Sequence, residues 1–192
     1  MVRKQNESAA RLRNGESNEQ ELNDMHCIGF PPSIDSSCRI LILGSMPGVR
    51  SLEEQQYYAH PQNRFWPLMA RLLGEREAPA AYEERLRMLL RRHIALWDSI
   101  GACERDGSLD SAIKKEQGND FTALLRDYPR IHTICFNGAK SAQAFRRYNR
   151  ALLSRTDLSF HSLPSTSPAN ARWRMDMLAE AWGKVITPHK AD

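Results

Sequence analysis

Two asparagines, Asn63 and Asn137, and a hydroxyl-rich loop, Ser165-Thr166-Ser167-Pro168-Ala169-Asn170, are the parts of this chain best suited to chemistry. A carboxamide holds a donor and an acceptor side by side, so it can read the edge of an amide-like ring. Hydroxyls and backbone amides close to a helix start can grip phosphates. Upstream, Gly44-Ser45-Met46-Pro47-Gly48 has two glycines and a proline in five residues, which turns the backbone sharply and leaves it bare. Tyr57-Tyr58-Ala59-His60-Pro61-Gln62 then adds aromatics and a loop histidine. Together these pieces could hold a flat polar ring, with a tyrosine on its face and His60 polarising it or fixing a neighbouring backbone group. Each piece also has a plainer reading. Asn63 suits the N-cap of the helix that follows, Asn137 before Gly138 suits a turn, and 165–170 suits a Ser/Thr/Pro loop with a cap.

These residues need strands behind them. The run 39–43 is nearly all apolar, as in a strand buried on both faces, and it ends at the Gly44 turn. Further strands are expected at 94–97, stopped by Asp98, at 130–136, ending in Asn137-Gly138, and at 158–163, ending in the 164–170 loop. Helical stripes lie at 63–73, 80–92, 121–127 (capped by Asp120), 140–148 and 171–182. Residues 99–118 read as irregular, with a short helix near 111–115. Alternating strands and helices argue for a parallel sheet covered on both sides: a three-layer α/β/α sandwich around a central four-stranded parallel sheet. In such a sheet the three polar loops share the edge where ligands bind.

With 192 residues, 41% of them hydrophobic, the chain has material for one globular core. Residues 1–26 are polar and read as a disordered tail, leaving 27–192 as one domain. No apolar stretch could span a bilayer and no secretory signal opens the chain, so neither a membrane partner nor secretion is expected. The four cysteines lack metal or disulfide spacing and read as small buried hydrophobes in a reducing compartment. The net charge of +4 is compatible with a polyanionic partner. Arg146, Arg147, Arg150 and Arg155 form either a solvated basic face or a phosphate contact.

Leu41-Ile42-Leu43-Gly44-Ser45-Met46-Pro47-Gly48, Tyr58-Ala59-His60-Pro61-Gln62-Asn63-Arg64-Phe65-Trp66, Leu96-Trp97-Asp98, Cys103-Glu104-Arg105-Asp106-Gly107-Ser108, Phe136-Asn137-Gly138 and Leu163 to Asn170 together resemble the uracil-DNA glycosylase superfamily. The resemblance is closest to its hypoxanthine-DNA glycosylase family and covers about 30–185. It implies excision of deaminated bases, chiefly hypoxanthine, from DNA. Asn63 and Asn137 would be catalytic. Gly44, Ser45, Met46, Tyr58 and His60 would bind the base, with Tyr58 stacking on it. Ser165, Thr166, Ser167, Pro168 and Asn170 would press into the minor groove. Met46 stands where mismatch-specific uracil glycosylases have a water-activating asparagine, and the aspartate of other members is absent. With no carboxylate or nucleophile evident in the motifs, a dissociative path is expected, helped by amide donors. No metal or organic cofactor is expected. The partner would be double-stranded DNA, with single-stranded DNA also open, and the protein a monomer, cytoplasmic and nucleoid-associated if bacterial. A uracil- or mismatch-specific enzyme, a non-catalytic DNA binder and a small-molecule hydrolase are the alternatives.

Overall fold

Ile40-Leu41-Ile42-Leu43 is apolar at every position because both faces of its strand are covered. Leu41 and Leu43 pack with Phe121, Leu124 and Phe145, while Ile42 packs with Phe65, Met69, Leu89 and Trp182 on the opposite side. The computed structural model describes residues 26–186. In chain order the elements are β1 (His26–Ile28), β2 (Ile40–Gly44), α1 (Val49–Glu54), α2 (Phe65–Leu72), α3 (Tyr82–Leu90), β3 (Ile94–Asp98), β4 (Ile100–Glu104), β5 (Lys114–Gly118), α4 (Phe121–Asp127), β6 (Thr133–Asn137), α5 (Ala139–Tyr148), β7 (Ser159–Leu163) and α6 (Met175–Ile186). The tail expected over 1–26 lies outside the described residues, except His26, which opens β1 opposite Glu104.

The main sheet runs β3-β2-β6-β7 with every neighbouring pair parallel. Helices α2, α3 and α6 cover one face and α4 and α5 the other. Leu41, Ile42, Leu43, Ile134, Cys135 and Phe136 are fully buried, and each large side chain so placed contributes about 1.5–3 kcal/mol. The register sets Gly44 opposite Asp98, Leu43 opposite Phe136 and Asn137 opposite Leu163. The strands therefore finish flush, and the polar residues after them share one rim.

The 99–118 segment departs from expectation. It holds β4, β5 and a single 3-10 turn at Asp110–Ala112 in place of an irregular stretch with a short helix. β4 pairs antiparallel with β1 and β5 in a second, three-stranded sheet. Lys114-Lys115-Glu116-Gln117-Gly118 is largely exposed, so it lacks the apolar alternation that marks a strand. The last helix starts at Met175, not at 171, because the preceding backbone is drawn into a clamp.

That clamp is Arg64, directly before α2. Its Nε donates to the carbonyl of Thr166 (3.3 Å), Nη1 to that of Trp173, and Nη2 to those of Ser167 and Asn170. Its own backbone N–H also donates to Thr166 O (3.1 Å). Trp182 Nε1 donates to Pro164 O (3.0 Å), which ties α6 beneath the same loop. A planar guanidinium suits four converging carbonyls because its donors are held in a fixed fork. Arg64→Met keeps the aliphatic stem and removes every donor. It is expected to destabilise the protein by about 2–4 kcal/mol, read by urea unfolding, and to speed hydrogen exchange across 165–173 ahead of the rest of the sheet.

Candidate active site

The rim encloses a cavity of about 530 Å³, lined by the Gly44–Gly48 turn, Tyr58, His60, Asn63, Asp98, Ser108 to Ser111, Asn137 and the 165–170 loop. This is within the range of small-ligand sites. The three loops expected to converge do so here.

Gly138 brings Asn137 to the loop. Its φ of +97° is a backbone state that side chains rarely adopt, and a Cβ there would lie 2.9 Å from Ser165 Cβ. Its N–H donates to Leu163 O (3.0 Å), closing the ends of β6 and β7 together. The buried Asn137 side chain then accepts from the Thr166 N–H (2.9 Å) and donates from Nδ2 to Thr166 Oγ1 (3.0 Å). Thr166 Oγ1 donates in turn to Asn63 Oδ1 (3.0 Å), which also accepts the Phe65 N–H (3.0 Å).

Two backbone N–H groups fix the sense of this chain. Each can only donate, so Oδ1 is the atom facing it in both asparagines. The Thr166 hydroxyl receives a proton from Asn137 and must pass its own to Asn63. Asn63 Oδ1 is thereby fully engaged, whereas its Nδ2 has no hydrogen-bond partner among the described residues and belongs to the cavity wall. The N-cap position expected for Asn63 is taken by Arg64; Asn63 Oδ1 accepts the Phe65 N–H from one residue earlier, and its side chain also lines the cavity.

Thr166, expected to meet DNA, has structural partners within the chain. It is fully buried, and its hydroxyl and N–H serve the two asparagines. Ser165, Ser167, Pro168 and Asn170 remain half-buried at the cavity mouth. Asn170 Nδ2 donates to Ser165 O (3.0 Å), bracing the loop on itself.

Tyr58 sits at φ +55°, a strained state for an aromatic residue. The turn is held on both sides: Tyr57 N–H donates to Tyr82 Oη (3.0 Å) and Ala59 N–H to Ser51 Oγ (3.2 Å). One face of the Tyr58 ring stacks on Phe65, with centroids 3.9 Å apart. Tyr57 is buried and donates to Pro31 O (3.1 Å), so of the two tyrosines Tyr58 is the one free to present a ring face to a ligand. His60 is exposed at the mouth, and its Nδ1 accepts the Gln62 N–H (3.2 Å), leaving Nε2 for other partners.

In the Gly44 turn, the carbonyls of Gly44 and Ser45 accept from Ser99 and Ile100. Ser45 Oγ donates to Asp110 Oδ1 (2.6 Å). The Met46 side chain packs with Ile100 and Cys103, so this position gives the cavity backbone but no polar side-chain atom. Arg146 donates to Ser162, Arg147 pairs with Glu116 and Arg155 with Asp157, all at the exposed surface and none on the cavity wall. All four cysteines are buried, and no metal-binding cluster occurs among the described residues.

Several cavity residues were given no role in the sequence reading, Arg50, Ser51, Asp98 and Asp110 among them. Asp98, read as a strand stop and as part of the stretch Leu96-Trp97-Asp98, is 3% exposed, and its Oδ2 has no hydrogen-bond partner. Burial pushes its carboxyl up to about 8; Arg105 pulls it down and Asp110 raises it further. Burial and the nearby Asp98 likewise push the Tyr58 hydroxyl upward. Its signal was positional: Asp98 ends a parallel strand in register with Gly44.

The Uracil DNA glycosylase superfamily model matches residues 31–186. A protein of Methanosarcina acetivorans named hypoxanthine DNA glycosylase is 40% identical over 158 residues, 82% of this chain and 96% of its own length. A Methanosarcina barkeri protein of the same name is 42% identical over 144 residues, 75% of this chain and 88% of its own. A solution structure of a candidate uracil DNA glycosylase from Methanosarcina acetivorans superposes with a TM-score of 0.73 at 39% identity, covering 85% of this chain and 98% of that one. With its parallel sheet, its rim of amides and these relatives, the chain belongs to the uracil-DNA glycosylase superfamily, in the group of the hypoxanthine-DNA glycosylases.

Proposed function

We propose that this protein releases hypoxanthine from deoxyinosine in DNA by hydrolysing the N-glycosidic bond of an extruded nucleotide, leaving the strand uncut. The observation that carries this reading is the Asn63 amide: Oδ1 is fixed by two donors, so Nδ2 is aimed without freedom to rotate. The relatives named hypoxanthine DNA glycosylases support the choice of base.

A base inside a duplex must leave the stack to reach such a cavity, at a cost of a few kcal/mol that is least for a mispaired base. Tyr58, backed by Phe65, offers a ring face for stacking, and the half-buried Ser165, Ser167 and Pro168 at the cavity wall would grip the flanking backbone. The C1′–N9 bond then breaks with its electron pair departing on the purine. Negative charge gathers on the base, and the preorganised Asn63 Nδ2–H stabilises it in a site largely cleared of water. Water adds its oxygen to C1′ and its proton ends on the base or in solvent. The products are free hypoxanthine and an abasic sugar with a hydroxyl at C1′. Asn137 keeps Thr166, and through it Asn63, in place. Met46 gives no polar side-chain atom to activate water, in keeping with a dissociative path.

Asn63→Ala is expected to slow single-turnover release from an inosine duplex at least about tenfold, the scale of losing one transition-state donor. Its far-ultraviolet circular dichroism is expected to match the wild type; unchanged release would refute the role. Thr166→Val keeps the shape of the side chain and breaks the relay. It is expected to cost about 1–3 kcal/mol in stability, because two buried amides lose partners. It is also expected to lower the release rate with little change in duplex affinity. Parallel assays on uracil duplexes separate this reading from uracil as the main substrate.

A further inference from the structure

Asp98 is the one carboxyl among the described residues that is almost fully buried, faces the cavity and is not spent on a hydrogen bond. Its position is held from both sides. The Asp98 carbonyl accepts from Asn119 Nδ2 (2.8 Å), and Gly44 lies opposite it across the ladder. Gly44 lacks a side chain where Asp98 needs room: a Cβ there would lie 2.4 Å from Asp98 Oδ1 and 3.3 Å from Tyr58 Oη. The bare turn after β2 therefore makes space for a carboxyl at the back of the site.

Of the groups facing it, only Arg105 favours a negative charge. Arg105, from the end of β4, makes no ion pair with Asp98 and gives Nη2 to the Pro47 carbonyl. Asp110, from the 3-10 turn, is a like charge and accepts from Ser45. Tyr57 and Tyr58 come from the turn after α1, with Tyr57 committed to Pro31 and Tyr58 Oη unpartnered. His60 and Arg50 line the mouth of the same cavity. A buried carboxylate without a partner is costly, so the group is most stable uncharged.

Resting on the excision reading above, we propose that Asp98 reads the flipped base as a neutral carboxylic acid: its O–H donates to the C6 carbonyl oxygen of hypoxanthine and its C=O accepts the ring N1–H. An uncharged carboxyl sets a donor beside an acceptor, the complement of a lactam edge. An ionised carboxylate only accepts, and it would repel the C6 oxygen. The substrate class so defined is bases with an adjacent ring N–H and C=O, the pattern that deamination of an amino-bearing base creates. A carboxylic acid kept neutral at pH 7 to donate a hydrogen bond has precedent in other enzymes.

The sign of the pH effect follows. Asp98 is protonated below its raised value of about 8, so excision should hold steady from pH 6 to 7. Above pH 8 it should fall by about tenfold per pH unit as the donor is lost. The test is single-turnover release of hypoxanthine by the full chain, with Asp98→Asn and Asp98→Leu beside the wild type from pH 6 to 9.5. Asn keeps a donor and an acceptor but does not titrate. Asp98→Asn is expected to be roughly three- to tenfold slower at pH 7, because the amide is the weaker donor. The ratio of wild-type to Asn rates should then fall about tenfold per unit above pH 8; ionisation of the base itself cancels in that ratio. Asp98→Leu is expected to lose about a hundredfold or more at pH 7 while unfolding no earlier on heating. A ratio independent of pH, or a Leu variant as fast as the Asn variant, overturns the role of Asp98. No release by the wild type at pH 7 overturns instead the reading on which it rests.

Discussion

One hydroxyl proton holds the candidate site together. Thr166 Oγ1 takes a hydrogen bond from Asn137 and gives one to Asn63, three residues brought from three strand-end segments. Two backbone N–H groups, of Phe65 and Thr166, lock the ends of this chain, so no member can reverse. Each link is buried or half-buried and worth only about 1 kcal/mol net. Breaking any of them strands polar atoms away from water, which costs more than the bond contributes. The arrangement is therefore cooperative, and its result is a cavity-lining Asn63 amide whose Oδ1 is engaged and whose Nδ2 has no hydrogen-bond partner among the described residues.

The fold supplies the rigidity this requires. Parallel strands buried on both faces end flush at one rim, and Gly44 and Gly138 let the loops leave without blocking it. Arg64 then gathers the carbonyls of Thr166, Ser167, Asn170 and Trp173, so the adjacent residues Asn63 and Arg64 grip the same loop, one by its side-chain hydroxyl and one by its backbone. Tyr58, in its left-handed state, and Asp98, a buried carboxyl whose Oδ2 has no hydrogen-bond partner, are the costly residues of the cavity wall. Both stand against Gly44, and both face the cavity. Local strain at a pocket wall, set against a well-packed sheet, is in keeping with a site shaped for a ligand.

What was legible in the chain follows from the same physics. The strands of the main sheet are plain because burial on both faces leaves little room for polar residues, and Asn137 stands out as an amide at the end of β6. β5 was hidden because Lys114 to Gly118 is a solvent-facing strand without apolar alternation. The burial of Thr166 was hidden because a Ser/Thr/Pro run looks like exposed loop; its partners lie 29 and 103 positions away, and no local pattern records them. Asp98 looked like a polar stop after an apolar run. Only the register with Gly44 shows that the stop lies inside the cavity. Contacts made across the sheet's rim, rather than along the chain, are what sequence reading alone could not reach.

The most direct measurement is a crystal structure of the protein bound to duplex DNA carrying a non-hydrolysable deoxyinosine analogue, fluorinated at C2′. The account predicts the flipped base stacked on Tyr58, Asn63 Nδ2 about 3 Å from a ring or carbonyl acceptor, and Asn63 Oδ1 still on Thr166 and Phe65. A base held in the cavity with Asn63 turned away from it, or a broken Thr166 relay in the complex, would contradict it.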